Sequence, residues 1–243
     1  MQRKHFAKTR FRALTIAFAA LLLAVPRPIS GCGGNRNAPP QDPARLPAAF
    51  SRDEYRPNYG GDLAGTNYHA GQVVTYRIVS GKATGIRLAE IEALPPTDEQ
   101  ANDIRDAFRK WETALRENPF SQAGKRRIRE VAPDDATAAI DVAIQPPEAF
   151  AGTGTFEVYG ACDTWLSDTE AGIVGRAVIR LRADIPTRAL RYAALHEAGH
   201  ALGLRGHSRR QNTIMQPVQP FLIPLVELDR YDVNTIRANY DGR

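Results

Sequence analysis

Apolar residues beyond residue 72 follow two spacings, one typical of strands and one typical of helices. Runs that are β-branched or alternating predict strands over Val73–Val79, Ala138–Ile144 and Gly175–Leu181. Apolar residues three and four apart predict helices between Thr97 and Asn118, between Asp184 and Leu202, and over Glu227–Tyr240. This order of elements, β-α-β-β-α-α, predicts one α/β (α+β) domain over residues 72–243.

Two of the connecting segments have compositions typical of loops. Ala151–Asp163 is rich in glycine and is predicted to form a surface loop. A phosphate-binding loop is the alternative, but no P-loop lysine accompanies these glycines. Gln211–Pro224 is interrupted by prolines and is predicted to be a loop that precedes the last helix.

The first 31 residues differ from the rest of the chain. Met1–Arg12 is basic, and Ala13–Val25 is an apolar run of 13 residues. A helix of that length spans about 20 Å, which is shorter than the bilayer core of about 30 Å, so residues 1–31 are predicted to be a secretory signal peptide. Ile29-Ser30-Gly31-Cys32 resembles the lipobox of bacterial lipoproteins, which implies cleavage before Cys32 and its acylation. An ordinary signal peptide followed by a coincidental cysteine is the alternative.

Residues 32–71 are predicted to form a flexible tether, because Gly33–Pro57 is rich in Gly, Asn and Pro. A short pro-segment is the alternative. A lipid anchor at Cys32 would hold the protein to a membrane of the cell envelope, at the bacterial outer membrane or the cell surface. If Cys32 is acylated, Cys162 has no intrachain partner; if it is not, the two could form a disulfide in an oxidising compartment.

The charge of the chain is unevenly distributed. The net charge is +5, but residues 1–31 contain six basic and no acidic residues, which leaves −1 for the remainder. A nucleic-acid-binding domain needs a basic face of its own, so we expect no nucleic-acid partner. Hydrophobic residues make up 43% and charged residues 24%, which excludes a collagen-like or wholly disordered chain.

Three of the five histidines fall within twelve residues. His196 and His200 are four residues apart in a predicted helix, so both imidazoles can reach one metal ion. Glu197 follows the first of them, where a carboxylate can accept a proton from a metal-bound water. Gly203 tolerates the left-handed conformation that ends a helix, and the resulting turn can bring His207 to the same ion. Three such ligands and one open position are typical of a catalytic zinc site.

Residues 196–208 read HEAGHALGLRGHS, and Met215, the chain's only methionine after Met1, follows within residues 212–217, NTIMQP. The first stretch resembles the zinc motif of the metzincins and, among them, of the matrixins. The second is similar to the Met-turn that underlies the metal in that clan. The common matrixin pattern places the third histidine one residue closer to the glycine, and we expect Gly206 to accommodate the extra residue.

The resemblance, which extends more loosely over Gln72–Tyr240, implies a metzincin-like zincin fold with a twisted mixed sheet, an active-site helix and a C-terminal helix. It implies a monomeric zinc-dependent endopeptidase that acts on protein or peptide substrates. Zn²⁺ would be held by His196, His200 and His207, and Glu197 would be the general base for a zinc-activated water.

The resemblance also suggests where a substrate would lie. An extended peptide is expected to pair with the Gly175–Leu181 strand, and Gln216–Phe221 is expected to form a wall of the pocket beyond the scissile bond. The calcium- and structural-zinc-rich loop of vertebrate matrixins is missing from the sequence. The catalytic domain is therefore expected to be minimal.

Two other functions remain open on the sequence alone. One is a non-catalytic zinc-binding surface lipoprotein that keeps the metzincin fold, and the other is an anchored binding module without a metal. Two further residues have alternative roles. His69 lies in a polar stretch and is expected to be exposed rather than a ligand, and Cys162 is expected to be a small buried residue rather than a thiolate on zinc.

Overall fold

A computed structural model of the protein describes residues 68–69, 72–82, 92–116, 127–150, 158–167, 173–204, 207–208, 213–216 and 226–241. The predicted signal peptide, lipobox and nearly all of the predicted tether lie outside these residues. So do Gly206, the Gly152–Thr155 segment and most of the predicted pocket wall beyond Gln216. No helix within the described ranges combines the length and the apolar character that a membrane span requires.

Within the described residues, seven strands form two sheets. The strands are β1 (Val73–Val79), β2 (Gly81–Lys82), β3 (Glu92–Ala93), β4 (Arg127–Glu130), β5 (Ile140–Gln145), β6 (Gly160–Leu166) and β7 (Val174–Arg182). Strands β2 and β3 pair with each other as an antiparallel ladder. The other five form a mixed sheet in the order β4-β1-β5-β7-β6, in which only β6 is antiparallel to its neighbour.

In the part of the chain that the structure describes, three α-helices accompany the sheet: α1 (Asp98–Arg116), α2 (Thr187–Ala201) and α3 (Arg230–Asp241), with a short 3-10 helix at Pro147–Phe150. A capping box begins α1, as Gln100 N–H donates to Thr97 Oγ1 (3.2 Å) and Thr97 N–H donates to Gln100 Oε1 (3.0 Å). Trp111 in the middle of α1 donates its indole N–H to the carbonyl of Leu195 in α2 (2.8 Å). The two long helices are therefore joined in their buried centre.

The main core lies between the sheet and the helices. One face of the sheet supplies alternate residues of β1, β5 and β7, namely Val74, Tyr76, Ile78, Ile140, Val142, Ile144, Ala177, Ile179 and Leu181. Phe108 of α1 stacks on Tyr76, with ring centroids 4.0 Å apart. Tyr68 is fully buried in the same core and donates its hydroxyl to the carbonyl of Ala201 (3.3 Å). Packed structure thus begins before Gln72.

The opposite face of the sheet carries ion pairs. Arg77 of β1 and Arg176 of β7 both contact the carboxylate of Asp141 in β5, which is fully buried. Arg180 pairs with Asp163 of β6 at 2.9 Å. Neighbouring strands are thus linked by charge on the face that the helices do not cover.

The structure confirms the predicted α/β (α+β) class, with a mixed sheet, a helix that carries the HExxH motif and a C-terminal helix. The three predicted strands and three predicted helices are all present, with small shifts of their ends. Two longer strands were not predicted. In β4 (RIRE) charged residues predominate because it is an edge strand, and β6 lies partly in the segment predicted to be a loop.

The prediction that a substrate pairs with Gly175–Leu181 is wrong. That segment belongs to β7, whose two sides already pair with β5 and β6. The free edge on this side of the sheet is β6. The reason is that β6 folds back antiparallel onto β7 and occupies the position that the sequence pattern assigned to a ligand.

Candidate metal centre

The helix α2 brings two histidines to one place and then ends abruptly. His196 is buried and His200 half-buried, one turn apart. Gly203 has a φ of 101°, as the sequence predicts, and its N–H donates to the carbonyl of His200 (2.9 Å). The N–H of Leu204 donates to the carbonyl of Gly199 (3.0 Å), which closes the helix end. The chain can therefore turn back toward α2 within a few residues.

His207 lies beside the other two imidazoles despite the longer spacing. Nε2 of His200 is 3.1 Å from Nε2 of His196 and 3.2 Å from Nε2 of His207. Zinc–nitrogen bonds of about 2.0–2.1 Å in a tetrahedral site place ligand nitrogens roughly 3.3 Å apart. Among the described residues, these three histidines form the one cluster of potential ligands.

The outer ring nitrogens of the two helical histidines fix their orientation. Nδ1 of His196 lies 2.6 Å from the carbonyl oxygen of Ile214, and Nδ1 of His200 lies 2.6 Å from that of Leu204. A carbonyl oxygen can only accept a hydrogen bond, so Nδ1 is the protonated nitrogen in both rings. Nε2 of each ring therefore presents a lone pair toward the cluster. Such second contacts are typical of metal-bound histidines.

Burial keeps the three rings neutral. It lowers the pKa of His196, where the neighbouring His200 and His207 lower it further, and it lowers the pKa of His200 as well. Burial and the neighbouring His200 bring the pKa of His207 to about 3. Neutral imidazoles are the form that binds metal, and the Nε2 atoms of all three rings converge on one place. The donor set therefore fits zinc.

Met215 lies beneath this arrangement. Its side chain is fully buried and contacts α2 at Gly199, where an added Cβ would lie 2.6 Å from Sδ. The carbonyl of Met215 accepts from the N–H of Ser208 (2.6 Å), which ties the segment of His207 to the turn at Thr213–Gln216. The methionine thus supports the helix between its two histidines, as expected of a Met-turn.

The family model named Matrixin matches residues 123–241, a range that includes the three histidines and the turn at Met215. Residues 123–241 form a matrixin-like metzincin domain. A comparison with curated protein sequences finds none that matches the chain. Because matrixins are zinc-dependent peptidases, the match supports a zinc metallopeptidase that acts on proteins or peptides.

Glu197 of the matrixin domain lies beside the cluster, against the edge strand. It is 7% exposed, and a Cβ added at Gly160 of β6 would lie 2.9 Å from its Cγ and 3.2 Å from its Oε1. Burial raises the pKa of Glu197 to about 8, while the nearby Arg180 opposes this shift and Asp163 adds to it. A dication at the histidines would favour the carboxylate again, because an opposite charge nearby stabilises the ionised form.

Two further residues that the sequence analysis weighed lie outside the cluster. His69 is exposed, as predicted. Cys162 is half-buried on the core face of β6, and burial together with the charges of Glu197 and Asp163 raises the pKa of its thiol. Its sulfur does not belong to the cluster of potential ligands that the three histidines form, which argues against a thiolate on zinc. Its alternative partner, Cys32, lies outside the described residues.

The residues that hold the Met-turn in place were not predicted from the sequence. Asp232 of α3 accepts from the backbone N–H groups of Ile214 (2.9 Å) and Met215 (3.3 Å). Tyr192, one turn before His196 in α2, places its hydroxyl 3.1 Å from the carbonyl of Ile214. An acid or a tyrosine at helical spacing is not distinctive in a sequence, so no local signal could have assigned these contacts.

Proposed function

We propose that the protein is a zinc-dependent endopeptidase in which Glu197 is the general base. The observation that carries this proposal is the convergence of three imidazole Nε2 atoms beside a buried carboxylate. His196, His200 and His207 would hold the ion. When bound, zinc lowers the pKa of water and polarises a carbonyl.

Glu197 would move the proton. Its carboxylate takes a proton from the attacking water and passes it to the amine that leaves, so it acts first as a base and then as an acid. Burial raises the pKa of Glu197, and bound zinc would favour the ionised carboxylate again, which is the form that accepts the proton. The close approach of Gly160 lets the carboxyl lie directly against the edge strand β6.

The edge strand β6 is the surface on which we expect the substrate. It pairs on one side with β7 and ends the sheet on the other, so its outer backbone groups can pair with an extended peptide. Backbone pairing holds a peptide along its length, which suits cleavage within a chain. This replaces the Gly175–Leu181 segment in our proposal.

The location of the protein is a proposal that rests on the sequence. The lipobox-like Ile29–Cys32 supports a lipid anchor at Cys32 and a place in the bacterial cell envelope, with the catalytic domain acting as a monomer. Replacing Cys32 with Ala should move the protein from the membrane fraction to the soluble fraction. An unchanged distribution would contradict the anchor.

The test of the catalytic proposal is hydrolysis of an internally quenched peptide. Activity should be lost on chelation and restored by zinc, and Glu197→Ala should retain bound zinc while losing at least about a hundredfold in kcat, since general bases contribute 10²–10⁴-fold. Glu99→Ala, at an exposed glutamate of α1, is the control and should keep full activity. Zinc binding without hydrolysis in the unaltered protein would instead support the non-catalytic lipoprotein.

A further inference from the structure

The carbonyl oxygen of Ile214 accepts two side-chain hydrogen bonds from α2. One comes from Nδ1–H of His196 at 2.6 Å and the other from the hydroxyl of Tyr192 at 3.1 Å. A carbonyl has two lone pairs, so these two donors occupy its full capacity. The two side chains are one helical turn apart on α2, and both reach the same atom of the Met-turn.

The hydroxyl of Tyr192 is itself oriented. Tyr192 is 4% exposed, and it also has a side-chain hydrogen bond with Gln216, the residue after Met215. With the amide of Gln216 as donor, the hydroxyl proton is directed toward the Met-turn carbonyls, of which Ile214 (3.1 Å) lies nearer than Thr213 (3.5 Å). The ring of Tyr192 lies nearly parallel to that of His196, at 20°, with centroids 6.1 Å apart.

The same peptide group is held from its other end by Asp232, whose carboxylate accepts from the N–H of Met215 (3.3 Å). The direction of the Ile214 carbonyl therefore depends on α3 at one end and on Tyr192 at the other. That direction decides where the ring of His196 points, because the Nδ1–H bond sets the orientation of Nε2.

We propose that Tyr192 is a positioning residue for the metal site, which acts through the Ile214 carbonyl to hold His196 in its metal-binding orientation. The proposal rests on the proposed function only in taking His196 as a zinc ligand. It assigns to this tyrosine a role in metal affinity that is separate from any contact with substrate.

The test compares zinc affinity in two tyrosine variants by chelator competition on the purified protein. Tyr192→Phe keeps the ring and removes the hydroxyl, and it should weaken zinc binding about tenfold, the lower end of the effect of losing a second contact to a ligand. Tyr240→Phe is the matched control. That tyrosine is also buried and donates to the carbonyl of Leu202 (2.8 Å), whereas the rings of His196 and His200 bond to the carbonyls of Ile214 and Leu204.

Melting of the metal-free variants separates positioning from folding. The two metal-free variants should melt at similar temperatures, while zinc affinity falls only in Tyr192→Phe. Gln216→Ala, which leaves the tyrosine in place without its orienting donor, should weaken zinc binding in the same direction but less. The proposal is overturned if Tyr192→Phe binds zinc as tightly as the unaltered protein, or if Tyr240→Phe loses as much.

Failure of the proposed function would give a different result. If His196→Ala bound zinc as tightly as the unaltered protein, the ligand assignment itself would be wrong, and the role of Tyr192 would fall with it. A tight site in the unaltered protein that is lost in His196→Ala but unaffected in Tyr192→Phe would overturn only the present inference.

Discussion

Single glycines decide how closely the parts of the metal centre approach one another. Gly199 lies between the two helical histidines, and a Cβ there would come within 2.6 Å of Met215 Sδ and 2.8 Å of a ring carbon of Trp111. Neither neighbour can withdraw easily, because both side chains are fully buried. The glycine therefore lets α1, α2 and the Met-turn meet at one point.

Gly199→Ala is expected to destabilise the protein by about 1–3 kcal/mol through overpacking, although alanine favours a helix by about 1 kcal/mol. Chemical denaturation of the metal-free protein measures the loss. In a Met215→Ala background the same substitution should cost less, because removal of Sδ leaves room for the added methyl group. If Gly199→Ala is as stable as the unaltered protein, Met215 and Trp111 can move aside without loss of unfolding free energy, and the prediction is wrong.

At the scale of elements, α3 supports the site without contributing a histidine. Asp229 precedes the helix and accepts from the N–H of Tyr231 (2.7 Å), while Asp232 accepts from the N–H of Asp229 (3.1 Å). These are the two halves of a capping arrangement. Because Asp232 also accepts from Ile214 and Met215, the start of α3 and the Met-turn form one hydrogen-bonded unit.

This unit predicts a pH dependence of stability. Burial raises the pKa of Asp232 from 3.8 to about 6, although its backbone hydrogen bonds oppose the shift. A raised carboxyl pKa means that the folded state binds the proton more tightly than the unfolded state does. The stabilisation that protonated Asp232 provides is therefore fully present below pH 3.8 and is lost as pH rises through about 6. The loss is of the order of 3 kcal/mol at about 1.4 kcal/mol per pKa unit.

Comparison with Asp232→Asn isolates this contribution, because the variant has no group that titrates at this position. As pH rises from about 4 to about 6, the metal-free unaltered protein should lose unfolding free energy relative to metal-free Asp232→Asn. Denaturation curves across that range measure it. A difference that stays constant with pH would mean that the folded Asp232 titrates as it does in the unfolded chain.

At the scale of the whole molecule, the two faces of the sheet are stabilised in different ways. The face toward the helices is apolar, whereas the opposite face carries Arg77, Asp141 and Arg176 across three adjacent strands. Ion pairs between neighbouring strands connect the described part of this second face.

Asp141→Asn is expected to cost about 3–5 kcal/mol, because it leaves a fully buried arginine without its counter-charge. Asp106→Asn is the control. That aspartate is 40% exposed and pairs with Arg109 and Lys110 on the surface of α1, so its loss should cost less than about 1 kcal/mol. Thermal or chemical unfolding measures the loss of stability in each variant. Equal losses in Asp141→Asn and Asp106→Asn would show that the buried ion pairs contribute no more than a surface pair.

The parts of the fold that were predicted correctly have signals contained in a few neighbouring residues. The capping residue Thr97, the alternation in Val73–Val79 and the glycine that ends α2 each act on their own segment of chain. The missed strand β6 has no such signal, because Gly160, Asp163 and Thr164 do not alternate as a half-buried strand would. It is a strand because β7 offers it hydrogen-bonding partners.

The sequence by itself determined the HExxH helix, its left-handed end at Gly203 and the set of three histidines, since helical periodicity and glycine conformation are local properties. Only the tertiary structure decided which strand forms the edge beside Glu197. It also decided that Tyr192 and Asp232 hold the peptide behind His196. Those contacts join groups that are distant in sequence or carry no distinctive pattern, and their formation depends on how the helices and the sheet pack together.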